Sequence, residues 1–374
     1  MAGTVNNDYE DVMNARKAAT MKETDRKCPE CGGTMDFDPA TGGLHCPYCD
    51  HTEAVPEKNT DKGPERAAEL DFESAELTGN CDWGTDHKTV TCKSCGAVSV
   101  YDALQVANEC PYCGSNQVME AADVNTLAPG GVVPFKITRE KAGERFKKWL
   151  GKKLFCPSKA KKSAEADSFQ GVYLPYWTFD TDTSTEYQGE YGKDRKVQRG
   201  KEETTVTDWY RTSGTYNEFI DDQLVCASDR HDKKILNAIE PFDTADNRAY
   251  KPEYLAGFAA ERYSTGLKDA WKTGKFLINK RLESNISSRI RSQYNADHVR
   301  NIRMNTTFSD ITYKYLMLPI WISSFRFNGK IYQFMVNGQS GKVGGESPVS
   351  ALRVLLAILL GLVIIVILYN LLFS

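Results

Sequence analysis

Residues 28–49 read CPECGGTMDFDPATGGLHCPYC. Two Cys-x-x-Cys knuckles, Cys28-Pro-Glu-Cys31 and Cys46-Pro-Tyr-Cys49, enclose 14 residues. A knuckle turns two thiolates onto one ion while backbone amides face the sulfurs, and two knuckles close a tetrahedral shell that suits zinc. The arithmetic recurs 64 residues further on: Cys92-Lys-Ser-Cys95 and Cys110-Pro-Tyr-Cys113 again enclose 14 residues. Gly32, Gly96 and Gly114 follow their pairs, where the chain must turn sharply. The pattern predicts two zinc ribbons, 28–50 and 81–120. Their ligands are Cys28, Cys31, Cys46 and Cys49, then Cys92, Cys95, Cys110 and Cys113; iron in a rubredoxin-like shell is the alternative ion. A closed shell of four thiolates leaves no open position, so both sites are structural, and the metal supplies folding energy that such short units lack. His45 abuts Cys46 but finds a full shell, and Cys81, Cys156 and Cys226 fit no pair and read as buried or free thiols.

Charge separates the chain into two parts. Residues 1–127 hold 10 Lys and Arg against 23 Asp and Glu, a net of −13; the remainder holds 37 against 27, a net of +10. Four thiolates around a divalent ion add −2 per ribbon, taking the first part to about −17. Phosphate binding needs the opposite sign, which argues against nucleic acid as a ribbon ligand. Residues 1–27 lack the apolar core of a signal peptide and read as disordered. Residues 51–80 are acidic and carry Pro56 and Pro64; they read as a flexible linker with a short helix near 65–77.

From residue 128 the texture turns aromatic and strand-like, and an α+β central domain is expected over 128–345. Two landmarks recur: Pro134-Phe135 with Pro241-Phe242, and Leu174-Pro175-Tyr176-Trp177 with Leu318-Pro319-Ile320-Trp321. Helix-period segments lie between them, about 138–152 and 265–294. These landmarks predict tandem repeats of helix packed on antiparallel sheet, about 132–192 and 239–345, with Pro175 and Pro319 at strand starts. KIYQFMVN at 330–337, Gly338-Gln339-Ser340-Gly341 and Lys342-Val343-Gly344-Gly345 form a hairpin that locally resembles the terminal hairpin of PepSY-type domains. It is not a phosphate loop, since Val336 and Val343 stand where Gly and Ser or Thr are required. None of the five histidines builds a catalytic motif. Asp180, Asp182, Glu186 and Glu190 share strand parity, the arrangement an acid–base pair or a plain solvated face would take.

Residues 354–373 read VLLAILLGLVIIVILYNLLF, twenty residues that span about 30 Å as a helix, the thickness of a bilayer core. Arg353 flanks one end and Tyr369 lies near the other. The expectation is a tail anchor over 353–374 in the cell membrane, single-pass, with the bulk of the chain in the cytoplasm, where thiol pairs stay reduced. Between 136 and 162 stand 11 Lys and Arg against two acids, a surface suited to anionic lipid as well as to plain solvation.

These features together resemble a family of bacterial tail-anchored zinc-ribbon proteins. Shared are two Cys-x-x-Cys pairs per ribbon, the VPFKIT opening at 133–138, the Leu-Pro-x-Trp strands, the Asn337-Gly338-Gln339-Ser340-Gly341-Lys342 hairpin and the C-terminal span. Members are often named as transcription-factor-IIB-type zinc ribbon or primosomal and helicase-like proteins; the helicase label finds no motif here. The resemblance implies partners of the SPFH-domain, TPM-domain and phage-shock-protein-A-like kinds and a role in membrane stress. The expected function is a non-enzymatic membrane adaptor that recruits protein partners. The rival is a membrane-tethered, nucleic-acid-associated factor.

Overall fold

The computed structural model describes residues 27–56, 59–60, 63–74, 87–93, 98–102, 118–120, 128–163, 169–199 and 202–373, a mixed helix and sheet structure. Apart from Lys27, the expected disordered N-terminus lies outside the described residues.

The first cysteine unit is a three-stranded antiparallel sheet: β1 (Asp36–Asp38), β2 (Gly43–His45) and β3 (Thr52–Glu53). Asp38 makes its first turn, its carboxylate accepting from the N–H groups of Ala40 at 2.9 Å and Thr41 at 3.2 Å. Gly42 closes that turn at φ +73°. The unit is docked on the body. Phe37 donates its N–H to Ala256 O at 3.1 Å, and its ring packs against Tyr254 and Phe258 at 5.5 and 6.5 Å.

The next segment is built into the body as well. β4 (Asn59–Thr60) pairs with β5 (Gly63–Pro64), and β6 (Leu70–Asp71) pairs with Tyr313 and Thr312 in the main sheet. Glu65 O accepts from Ala249 N, and the Phe72 ring packs on Phe179 and Trp271. The flexible, partly helical linker is therefore corrected for residues 63–74. Those residues form short strands and a turn at 73–74 instead of a helix, and Leu70 and Phe72 are half-buried where the chain follows the sheet edge. β7 (His87–Cys92), β8 (Val98–Asp102) and β9 (Val118–Glu120) belong to the expected second ribbon, and β8 adds to the main sheet through Ala260 and Glu261.

In the body, β10 (Gly131–Val132) leads into α1 (Arg139–Gly151) and the short α2 (Ser158–Ser163). Two very long strands follow, β11 (Gln170–Arg199) and β12 (Glu202–Cys226), then α3 (Lys233–Ile239), β13 (Arg248–Ala249) and β14 (Ala259–Glu261). Next come α4 (Leu267–Tyr294), β15 (His298–Phe327), β16 (Lys330–Asn337), β17 (Val343–Gly345) and α5 (Ala351–Phe373). Odd positions of β11 and β15, among them Tyr173, Trp177, Tyr315 and Trp321, face Phe135, Phe258 and α4. Even positions, among them Val172, Leu174, Leu318 and Ile320, face Ile235, Leu236 and Ile239 of α3.

Two segments follow one plan. β10–α1–β11–β12 and β14–α4–β15–β16 come in the same order, and Leu174 stands opposite Leu318 where β11 and β15 pair antiparallel. Trp177 Nε1 donates to Thr265 O at 3.0 Å, and Trp321 Nε1 donates to Ile137 O at 2.7 Å. Each acceptor is the carbonyl just before a helix N-cap, Gly266 or Thr138. Pro175 O accepts from Ala227 N and Pro319 O from Gly338 N. The Ala227 carbonyl then takes the N–H groups of Ser264 and Thr265, as Gly338 takes those of Lys136 and Ile137. Arg262-Tyr263, not Pro241-Phe242, stands where Pro134-Phe135 stands, three residues before the N-cap.

The two prolines lie inside long strands rather than at strand starts. On one side of Pro175, β14 ends its pairing at Tyr173 and β12 begins at Tyr176. On one side of Pro319, β10 ends at Met317 and β16 begins at Ile320. Each missing N–H falls at a break in the ladder, so no hydrogen bond is lost.

Beyond Phe179 the strands β12, β11 and β15 continue as a three-stranded arm backed by α4. The helix buries Trp271, Gly274, Ile278, Leu282, Ile286 and Ile290, one contact per turn, against Thr181, Thr183, Thr185 and Tyr187. Tyr294 stacks on Tyr191 at 4.3 Å, and Asn295, at φ 46°, ends the helix with its N–H on Arg291 O. Three bulges bend the arm, each with a left-handed residue: Asp222 on β12, Asp310 and Asn301 on β15.

Candidate metal centre

The Cys28 knuckle is shaped by two backbone hydrogen bonds, Cys28 N to Gly33 O at 2.7 Å and Gly32 N to Cys28 O at 2.8 Å. Gly32 sits at φ +74°, and a Cβ on Gly33 would lie 2.5 Å from the Tyr48 ring. In the second knuckle Cys46 N donates to His51 O at 2.8 Å and Asp50 N to Cys46 O at 3.0 Å.

Both turns aim sulfur inward. Cys28 Sγ and Cys49 Sγ stand 3.4 Å apart, Cys31 Sγ and Cys46 Sγ 3.5 Å apart, and all four lie within 4.8 Å of one another. Zn–S bonds of about 2.3 Å place the corners of a regular tetrahedron about 3.8 Å apart, so these four residues form a group able to hold a metal ion. Desolvation opposes ionising Cys46, but N–H groups of Tyr48 and Cys49 aimed at its sulfur outweigh it and bring the thiol down to about 7. A hydrogen bond from the His51 backbone favours the Cys49 thiolate, yet the crowding of Cys28, desolvation and the other two thiols push it up to about 12. Such crowding is relieved by a cation at the centre. His45 turns away to Asp50, with Nε2 3.4 Å from Oδ1.

Of the second set, Cys92 ends β7, while Cys95, Cys110 and Cys113 lie outside the described residues, as does Cys81. Cys156 is buried and Cys226 half-buried, and desolvation pushes both thiols up, Cys226 to about 12.

The four carboxylates of β11 are not brought together. Asp182 and Glu186 lie exposed on the arm, and Glu190 pairs with Arg300 at 2.8 Å. Asp180 is buried instead. It accepts from Asp222 N at 2.5 Å and from Lys314 Nζ at 3.0 Å, and Lys314 also pairs with Asp222 at 2.8 Å and Glu69 at 3.3 Å. Burial pushes the Asp180 carboxyl up, whereas Lys314 is held above the lysine range, its carboxylates outweighing desolvation. Asp180, Asp221 and Asp222 offer a second clustered ligand set, two of whose members, Asp180 and Asp222, already pair with the Lys314 ammonium.

One polar cluster escapes sequence reasoning altogether. Glu261 is 0% exposed; its two oxygens take Ser228 Oγ at 2.5 Å and His231 Nε2 at 2.8 Å. Burial resists its ionisation, but His231 and then Ser228 hold the carboxyl below the usual range. Ser228 donates its hydroxyl to one carboxylate oxygen and the His231 ring nitrogen meets the other.

No family model and no solved structure matches the chain. A curated relative, the uncharacterized protein YdjG of Bacillus subtilis (strain 168), is 29% identical over 327 residues, which is 87% of this chain and 90% of YdjG.

Proposed function

We propose that this protein is a membrane-anchored zinc-ribbon adaptor. The observation that carries the reading is α5: over Ala351–Leu371 it is long and apolar enough to cross a membrane, and none of its most apolar stretch is buried in the fold. A soluble body would not leave twenty apolar residues in water at a cost of about 25 cal/mol per Å². On this reading α5 is a single-pass anchor in the cell membrane, and the body stands on the cytoplasmic side, where its thiolates stay reduced. Zinc fills Cys28, Cys31, Cys46 and Cys49, and a second zinc fills Cys92, Cys95, Cys110 and Cys113, both as structural ions. The shared hydrogen bonds of β10–α1–β11–β12 and β14–α4–β15–β16 support a duplicated unit as the platform.

The arm and the ribbons then present surfaces to protein partners, for which the SPFH, TPM and phage-shock-protein-A-like classes are the first to test. Asp180 and Glu261, the most deeply buried carboxylates described above, are each committed to a cationic or hydrogen-bonding partner, which favours a scaffold over a hydrolase. Alkaline carbonate washing of membranes tests the anchor. The full chain stays with the bilayer and a chain ending at residue 350 is released; release of both would overturn the reading.

A further inference from the structure

We propose that residues 152–162, the turn after α1 together with most of α2, are a contact for anionic lipid headgroups seated at the foot of α5; this rests on reading α5 as the membrane anchor. Arg353 stands one residue before the apolar run begins. Its guanidinium donates to Leu154 O at 3.1 Å, Cys156 O at 2.6 Å and Ser158 Oγ at 2.6 Å. Ser350 N adds a fourth bond, to Phe155 O at 2.9 Å. These bonds fix the segment at the level where the helix enters the hydrocarbon.

Two large apolar side chains face outward there, Leu154 at 79% and Phe155 at 41% exposure. Buried Cys156 and Ala160 hold the segment from beneath. Lys152, Lys153, Lys159, Lys161 and Lys162 flank the pair in sequence, and no acidic residue occurs from 145 to 162. Lys152, Lys159 and Lys162 are exposed, whereas Lys161 Nζ is turned onto Gly151 O and Lys153 Nζ lies over the Trp149 ring.

An apolar tip flanked along the chain by exposed lysines and tied to a membrane helix matches the boundary between acyl chains and phosphate. Tips enter the bilayer and lysines meet headgroup charge. An acidic protein would answer the charge, but it would not explain why Leu154 and Phe155 point outward beside an apolar helix. The contact is with anionic lipid.

The full chain is reconstituted in nanodiscs of phosphatidylcholine alone or mixed with phosphatidylglycerol, and backbone hydrogen exchange is read by peptide. Residues 152–162 are expected to exchange several-fold more slowly in the anionic discs, and residues 193–199 and 202–208 of the arm equally in both. Changing the five lysines to glutamine removes the difference without preventing insertion. A photocrosslinking residue at Leu154 labels lipid; the same residue at exposed Phe219, on the arm, does not. Equal exchange at 152–162 in the two lipids, or no lipid adduct at 154, overturns this proposal alone. A chain that never enters the discs overturns the anchor reading and this proposal with it.

Discussion

Cys46 shows how far single residues decide the metal centre. Two amides already aim at its sulfur, and only three other thiols share the shell. Cys46→Ser is expected to lower zinc from two ions per chain to one, whereas His45→Ala leaves two; elemental mass spectrometry of purified protein reads both. These cysteines were legible because a knuckle is local chemistry written in consecutive residues. Glu261 was not, since Ser228 and His231 lie 33 and 30 residues away and only the folded chain joins them. Its folded carboxyl titrates lower than the unfolded value of 4.5, so its stabilisation is complete above that pH and is lost as pH falls below it. Glu261→Leu strands the buried imidazole and hydroxyl and is expected to cost about 3 kcal/mol near neutrality. Denaturant titration in detergent at pH 7 and pH 4 measures both the cost and its shrinkage in acid.

At the scale of elements, the two long helices of the body and its last hairpin were read well, the arm strands and the linker poorly. Trp271, Ile278, Leu282, Ile286 and Ile290 repeat by about four residues and mark α4 directly. The arm strands hid because the residues they turn toward α4 are Thr181, Thr183 and Thr185, so their alternation reads as polar on both faces. The linker hid for the opposite reason: Leu70 and Phe72 are two apolar residues in an acidic run, and their burial depends on Tyr313 and Phe179, far along the chain. Two element-level tests follow. Ile286→Ala cuts a buried side chain at the middle of the arm and is expected to cost 2–5 kcal/mol (about), whereas exposed Lys280→Ala stays within about 0.5 kcal/mol. Trp177→Phe and Trp321→Phe each delete one N–H donor to a pre-helical carbonyl and should cost about 1 kcal/mol each. Paired chemical-denaturation curves decide both; unequal tryptophan effects would break the correspondence between the two segments.

The whole molecule joins an acidic end that carries the four-cysteine cluster to a basic end that carries the apolar helix. That polarity was legible from composition, because net charge needs no geometry. What composition could not show is that the first cysteine unit is docked through Phe37 on the body, so a metal bound at its four cysteines would stabilise the body as well. Stripping zinc with a chelator is therefore expected to lower the melting temperature of the body itself, by several degrees, and Phe37→Ala should uncouple the two. The most direct test of a membrane adaptor is crosslinking in cells, followed by purification of the full chain and mass spectrometry of what accompanies it. Stoichiometric membrane proteins of the SPFH, TPM or phage-shock-protein-A-like kinds, lost when Cys46 is changed to Ser or the chain ends at residue 350, are the predicted result. Nucleic acid or replication proteins in their place, or no partner at all, would contradict it.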